Sequence, residues 1–265
     1  MVFFDNCGVS INGSGILAES VGFSMQNSLQ SFPALGYKIP STQIPTDFIR
    51  GSLSISYFAE RDNEPNIQII NKIKSGEQFA NWSPEQIIFG NITGSGYLEN
   101  YSLKITPLDQ AKATANYGIF IPSSGQMIAS KSSRNPLFSG VADGWNTVLS
   151  SPGEVTDTLN LFDFTYSFRA AWQPVYVIGN TLPIQTQLLN GEESLSLLTD
   201  TPEDILFSGS QLTTVTNNYT GISLNLYRQD SSIAIPFNDF ILKSAQTNGS
   251  LEDVVKVTLE ANRFF

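Results

Sequence analysis

Apolar and polar residues alternate along most of this chain. Leu53, Ile55 and Tyr57 share one side of a two-residue period, and Ser52, Ser54 and Ser56 share the other. Tyr101, Leu103 and Ile105 alternate with Ser102, Lys104 and Thr106. Further on, Ile222, Leu224 and Leu226 alternate with Ser223 and Asn225, and Val255, Val257, Leu259 and Ala261 with Lys256, Thr258 and Glu260. This period predicts strands with one buried and one wet face, as antiparallel sheets have. The run Thr93-Gly94-Ser95-Gly96 predicts a hairpin turn between strands at 86–92 and 97–107.

One segment breaks the alternation. In Asn63–Gly76 the isoleucines Ile67, Ile70 and Ile73 recur at helical spacing, with Ile69 beside them. Asn63 can cap this helix, Glu64 and Pro65 suit its first turn, Lys72 and Lys74 its last, and Gly76 its end. The segment Thr201–Gly209 has the same form: a capping Thr, a Pro, two acids, a short apolar run and a Gly. Between the strands at 16–30 and 51–58 lies YKIPSTQIPTDFIR, residues 37–50. It holds two prolines and Ile39, Ile44 and Ile49. It is either a hairpin folded back on the core or an extended arm that docks on a neighbouring subunit; prolines suit an edge or an arm better than a central strand.

The chain resembles itself at a nearly fixed offset. Shifted by 143, Phe23-Ser24-Met25 meets Tyr166-Ser167-Phe168 and Pro40 meets Pro183. Shifted by 142, Leu53-Ser54-Ile55 meets Leu195-Ser196-Leu197, by 139, Asn100–Lys104 meets Asp239–Lys243, and by 144, Lys112–Ala115 meets Lys256–Leu259. An offset steady across the whole length predicts an internal duplication. The expected division is a β domain over 1–122, a Ser-, Gly- and Pro-rich linker or arm over 123–143, and a second β domain over 144–265. The two copies are expected to superpose, each as its own sheet with one helix; a single sheet continuous across both halves would count against the duplication.

Composition removes many kinds of chemistry. Among 265 residues there is no His and one Cys, Cys7. Ser-His-Asp and Cys-His catalysis and His-metal sites therefore fall away, as does an internal disulfide. The opening residues lack the basic and apolar regions of a signal peptide, and no apolar run is long enough for a membrane helix. The carboxylate pairs Asp62/Glu64, Glu192/Glu193, Glu203/Asp204 and Glu252/Asp253 sit at turns or helix starts, as caps and solubilising groups do. Trp82, Trp145 and Trp172 could form a sugar-stacking platform or pack singly against the sheets. No phosphate-binding glycine loop or calcium loop is present. The expectation is a protein that is not an enzyme and uses no cofactor or metal. The net charge is −10, and it is uneven: residues 1–140 carry 9 basic and 10 acidic groups, residues 141–265 carry 5 and 14. Such a charge gives a solvated acidic face, or a surface that repels a polyanion or meets a basic partner.

Together these segments resemble bacteriophage tail tube proteins. The likeness lies in ILAESVGFSMQNSLQ (16–30), the long loop 37–50, GSLSISYF (51–58), the single helix over 64–75, and GNITGSGYLENYSLKITPL (90–108). It covers the first copy nearly whole and the second more loosely. The resemblance implies two tandem antiparallel β-sandwich or barrel domains, each with one short helix. It implies a virion protein made in the host cytoplasm, a tail tube subunit whose trimers mimic six-fold rings and stack. Its partners would be itself, other tail proteins such as hub, terminator or sheath, and double-stranded DNA passing unbound through an acidic lumen. Ile39, Pro40, Ile44, Pro45, Phe48 and Ile49 would then touch the next ring, as would the counterpart loop at 180–191. A trimeric hub or adaptor, or a carbohydrate-binding module, is the alternative.

Overall fold

The fold comes from a computed structural model, which describes residues 8–26, 29–32, 42–45, 50–59, 64–76, 80–90, 92–106, 111–120, 145–150, 156–159, 161–178, 180, 182–199, 221–228, 234–248 and 256–265. The chain is mainly β and antiparallel, with one helix among these residues. The first half contains β1 (Gly8–Ile11), β2 (Ser14–Gln26), β3 (Leu29–Phe32), β4 (Thr42–Pro45), β5 (Arg50–Phe58), α1 (Pro65–Ser75), β6 (Glu85–Phe89), β7 (Ile92–Ile105) and β8 (Lys112–Ile119). The second contains β9 (Trp145–Ser150), β10 (Thr156–Leu159), β11 (Leu161–Val175), β12 (Gln185–Thr199), β13 (Gly221–Arg228), β14 (Ala234–Asn248) and β15 (Lys256–Phe264).

The pairings of the first half close on themselves. β1 pairs with β2 and β6, β6 with β7, β7 with β8, β8 with β5, and β5 with β2. β2 serves two neighbours in turn: Ser14–Leu17 face β1, and Ala18–Gln26 face β5. In the second half β9 pairs with β10 and β13, β13 with β14, β14 with β15, β15 with β12, and β12 with β11. One residue separates β10 from β11, so these two occupy the place of β2. The same six pairings thus occur in the same order in both halves.

The halves do not keep separate sheets. Asn100–Ile105 of β7 pair with Phe164–Arg169 of β11, so one sheet runs through the molecule. The expectation of an independent sheet in each copy is corrected here. Its physical cause lies in strand length: β7 has 14 residues, and β6 covers only Ile92–Gly96 of one edge, leaving the rest to pair with something else. The linker at 123–143 and the second helix expected near 201–209 lie outside the described residues.

The strand faces follow the alternation. Leu53, Ile55, Tyr57, Tyr101, Leu103, Ala113, Ala115 and Tyr117 are buried, and a single core runs on through Phe164, Tyr166, Phe168, Leu195 and Leu197. The helix lies on this core through Ile69, Ile70 and Ile73. Pro65 stands at its start, and Gly76 ends it by donating its amide to the Ile73 carbonyl at 3.3 Å. Glu64 occupies the N-cap position without a side-chain capping bond.

The turn expected at Thr93–Gly96 falls elsewhere. β6 and β7 pair from Phe89–Ile92 outward, and the chain reverses at Gly90, whose φ of +57° lies in the region glycine tolerates. Gly96 sits inside β7 for a different reason. A Cβ there would lie 3.1 Å from the Tyr117 Cβ and 3.2 Å from the Gly118 carbonyl oxygen.

Candidate assembly surfaces

A hairpin leaves each half at the same point of the pairing cycle. In the first half, β3 and β4 form a two-stranded sheet apart from the main one, with Leu29 opposite Pro45 and Gln30 opposite Ile44. Ile44 and Pro45 therefore lie on a two-stranded hairpin. Ile39, Pro40, Phe48 and Ile49 lie outside the described residues. In the second half the projection is the end of the β11–β12 hairpin, which pairs out to Val175 and Gln185. Val177, Ile178, Leu182 and Ile184 are exposed there, Ile178 fully. An amide bond from Ile184 to the Val175 carbonyl at 2.9 Å and one from Asn180 to Val177 at 3.1 Å hold this end in shape. Four apolar side chains on one ordered loop make a contact surface that water alone does not satisfy.

The joint between the halves is broad. The Trp172 indole donates to the Leu98 carbonyl at 2.7 Å, and the Trp82 amide to the Thr186 carbonyl at 3.0 Å. The Trp82 and Trp172 rings meet edge to face at 5.8 Å, and Tyr97 lies 5.2 Å from Trp172. Two of the three tryptophans thus pack against each other rather than forming an open platform; the Trp145 side chain lies outside the described set. From the helix, Lys74 reaches Glu193 at 3.2 Å, a carboxylate fully buried on β12.

The wet face of the sheet is paved with small neutral groups. One cross-strand row runs Ser56, Thr114, Ser102, Ser167, Ser194, Asn262. The next runs Gly22, Ser54, Asn116, Asn100, Arg169, Glu192. A third carries the charges Lys112, Lys104 and Glu260, with Thr165 and Ser196 between. An open depression of about 330 Å³ lies where β7, β8, β11 and β12 meet, lined by Ser102, Thr114, Ser167 and Ser194 among others. Among the described residues of this face Lys104, Lys112 and Arg169 stand with Asp163, Glu192 and Glu260; most acids of the second half lie outside the described residues.

Of the carboxylate pairs, the described residues include Glu64, Glu192 and Glu193. Asp62, Glu203, Asp204, Glu252 and Asp253 lie outside the described residues. Glu192 faces the wet side and Glu193 the core, as neighbours on a strand must. Glu64 is buried among tyrosines. It accepts from the Tyr57 hydroxyl, which in turn accepts from the Asn66 amide at 2.5 Å, and Asn66 accepts from Tyr117. Desolvation pushes the Glu64 carboxyl up to about 7, and it drives the Tyr57, Tyr101 and Tyr117 hydroxyls well above their usual value. No group of three or more metal-ligating side chains occurs among the described residues. Sequence reasoning missed this Tyr–Glu cluster because its members lie on four elements. The alternating tyrosines Tyr57, Tyr101 and Tyr117 were the signal available: three inward strand positions bearing a hydroxyl that must find a partner.

No family model matches the chain, and no curated protein matches it. Among solved structures it is similar to the crystal structure of the SPP1 Dit (gp 19.1) protein, described as a paradigm of the hub adsorption apparatus in phages that infect Gram-positive hosts. The identity is 11% over 98% of this chain and 100% of that one, with a TM-score of 0.26. Likeness at that level carries no argument about this chain.

Proposed function

We propose that this chain is a structural subunit of a bacteriophage tail, a tube protein whose trimer forms a ring of six like domains. The observation that carries the reading is the pairing cycle, which occurs twice in one order and so gives each chain two similar ring-building units. Three such chains make a ring with pseudo-six-fold symmetry, and a closed ring leaves no free sheet edge. The two projecting hairpins are suited to heterologous contact with the next ring, which turns rings into an open filament. Their apolar residues, Ile44 with Pro45 and Ile178 with Leu182, supply the buried area.

The wet sheet face is the proposed wall of the conduit. Phosphate binding draws its free energy from counterion release onto a basic wall. A wall of Ser, Thr and Asn hydroxyls and amides offers little of that, and duplex DNA slides past it. The chain's partners are then its own copies along the tube and the tail proteins at its ends, its place is the virion, and it performs no catalysis.

Negative-stain electron microscopy of the concentrated recombinant chain, with mass measurement alongside, tests this. Hollow filaments with a regular axial repeat are the expected outcome. Trimeric rings that never stack would instead mark a hub or adaptor, and a persistent monomer would overturn the assembly altogether.

A further inference from the structure

The turn between β1 and β2 carries chemistry of its own. Asn12 and Gly13 connect Ile11 to Ser14, which pair with each other, and both stand at positive φ, +50° and +84°. Asn-Gly favours this two-residue turn. It is also the dipeptide most prone to close a succinimide ring, because glycine has no side chain to shield its amide nitrogen. Both residues are exposed, so water and hydroxide reach them. The Asn12 side chain is nevertheless held at both ends. Its Oδ1 accepts from the Gln86 amide at 2.9 Å, and its Nδ2 donates to Glu85 Oε2. Its backbone amide donates to the Gln86 carbonyl at 2.9 Å. Glu85 is buried at the start of β6, and its other oxygen takes Lys72 of α1 at 2.9 Å. One amide side chain thus ties the turn to β6 and, through Glu85, to the helix.

We infer that Asn12–Gly13 is a covalent one-way latch on the first half, a self-modifying site guarded by Glu85. Cyclisation forms a bond from the Gly13 nitrogen to Asn12 Cγ, and the proton of that nitrogen goes to hydroxide. The Cγ–Nδ2 bond breaks, and Nδ2 leaves as ammonia after taking a proton from water. Water then opens the ring at either carbonyl, which gives an ordinary aspartyl or an isoaspartyl link without any change of oxidation state. The attack needs Cγ to swing onto the Gly13 nitrogen, so Asn12 must first release both Gln86 and Glu85. The closed turn is therefore protected, and each local opening exposes it. Reclosing afterwards is blocked. A carboxylate at position 12 has no N–H for Glu85 and sets a like charge against a buried one. The isoaspartyl link also lengthens the main chain inside a turn whose register is fixed by Ile11 and Ser14. The pair Asn190–Gly191 is built otherwise: Gly191 lies within β12 and donates its amide to the Phe265 carbonyl at 2.9 Å, so its nitrogen is occupied. Residues 151–155, which connect β9 to β10, contain no Asn, so the latch belongs to one half of the duplication.

Peptide mapping by mass spectrometry of the full chain held at pH 8 tests this, with an isoaspartyl methyltransferase marking the isoaspartyl product. In the unaltered folded chain Asn12 should convert at least tenfold more slowly than in the same chain unfolded in urea. Glu85→Ala should raise the folded rate at least tenfold and leave Asn190 unchanged. Glu85→Gln keeps an acceptor for Nδ2 and should stay near the unaltered rate. Asn12→Asp reproduces the aspartyl product, and amide exchange over Val9–Asn12 should quicken in it at least tenfold. Equal rates in the folded and unfolded chain, or a Glu85→Ala rate equal to the unaltered one, would overturn the guard. Unchanged exchange in Asn12→Asp would overturn the latch. Should Glu85→Ala not fold, the folded-against-unfolded comparison and the exchange of Asn12→Asp still decide.

Discussion

Glu64 is the most perturbed carboxyl among the described residues, and its surroundings say which protonation state the fold prefers. Its carboxyl is pushed up to about 7 because it is desolvated among Tyr57, Tyr101 and Tyr117, and the hydrogen bond from Tyr57 offsets only part of that. One carboxylate oxygen and the Tyr101 hydroxyl are buried without a well-formed partner. A neutral carboxyl can donate where an ionised one cannot. The folded state therefore holds the proton more tightly than the unfolded chain does. Stability from this group is fully present below the unfolded value of 4.5 and is lost as pH rises through about 7. The loss amounts to about 3 kcal/mol at alkaline pH. Glu64→Gln keeps an acceptor for Tyr57 and adds the missing donor without a charge. Its melting temperature should match the unaltered protein at pH 5 and exceed it by several degrees at pH 8; parallel pH profiles would refute this account. The sequence carried half of this. Tyr57 was legible as an inward strand residue, and Glu64 as a residue at the start of a helix. That the helix start lies over the tyrosine-lined sheet is tertiary, and no local period records it.

At the level of elements, α1 acts as a strut between the halves. Lys74 is mostly buried in its last turn and pairs with Glu193, which is fully buried on β12. Breaking such a pair by removing one member leaves an uncompensated buried charge, at a cost of about 3–5 kcal/mol. Lys74→Met should lower the urea midpoint by that equivalent, and Lys74→Met with Glu193→Leu should recover most of it. Equal losses in the single and double variants would show that packing matters and the charges do not. The hairpin ends should behave in the opposite way. Ile178→Ser with Leu182→Ser changes exposed residues, so stability should move by no more than about 0.5 kcal/mol, while filament formation fails. Ile44→Asp with Phe48→Asp in the segment 37–50 should likewise leave folded subunits that do not stack. Unaltered filaments in either case would remove that hairpin from the stacking surface. The elements themselves were largely legible, because a period of two in 52–58 and 101–105 admits little else. The turn at Gly90 was not. Gly94 and Gly96 offered a stronger local turn signal, yet Gly96 is there to let β7 approach Tyr117 and Gly118.

Across the whole molecule, the sheet is continuous from β7 into β11 and joins two like units, and if it lines a conduit as proposed, its wet side would set how the molecule treats DNA. The net charge of −10 suggests repulsion, but charge acts where it sits. On the wet face Lys104, Lys112 and Arg169 stand near Asp163, Glu192 and Glu260, with Ser, Thr and Asn filling the rows between. On the proposed reading a passing duplex would meet, from the described charges, a wall with little net field, screened further within about 8 Å at physiological salt. Assembled particles should leave the anisotropy of a fluorescent duplex unchanged at 50 mM salt. Ser102→Lys with Ser167→Lys adds two cations at the centre of the depression without touching the core. That variant should retain DNA at 50 mM and release it by 200 mM, with a salt slope that grows with the number of added cations. If the unaltered particle already binds with a steep slope, the conduit wall is another face of the molecule. If the lysine variant assembles and still shows no retention, DNA does not reach this face.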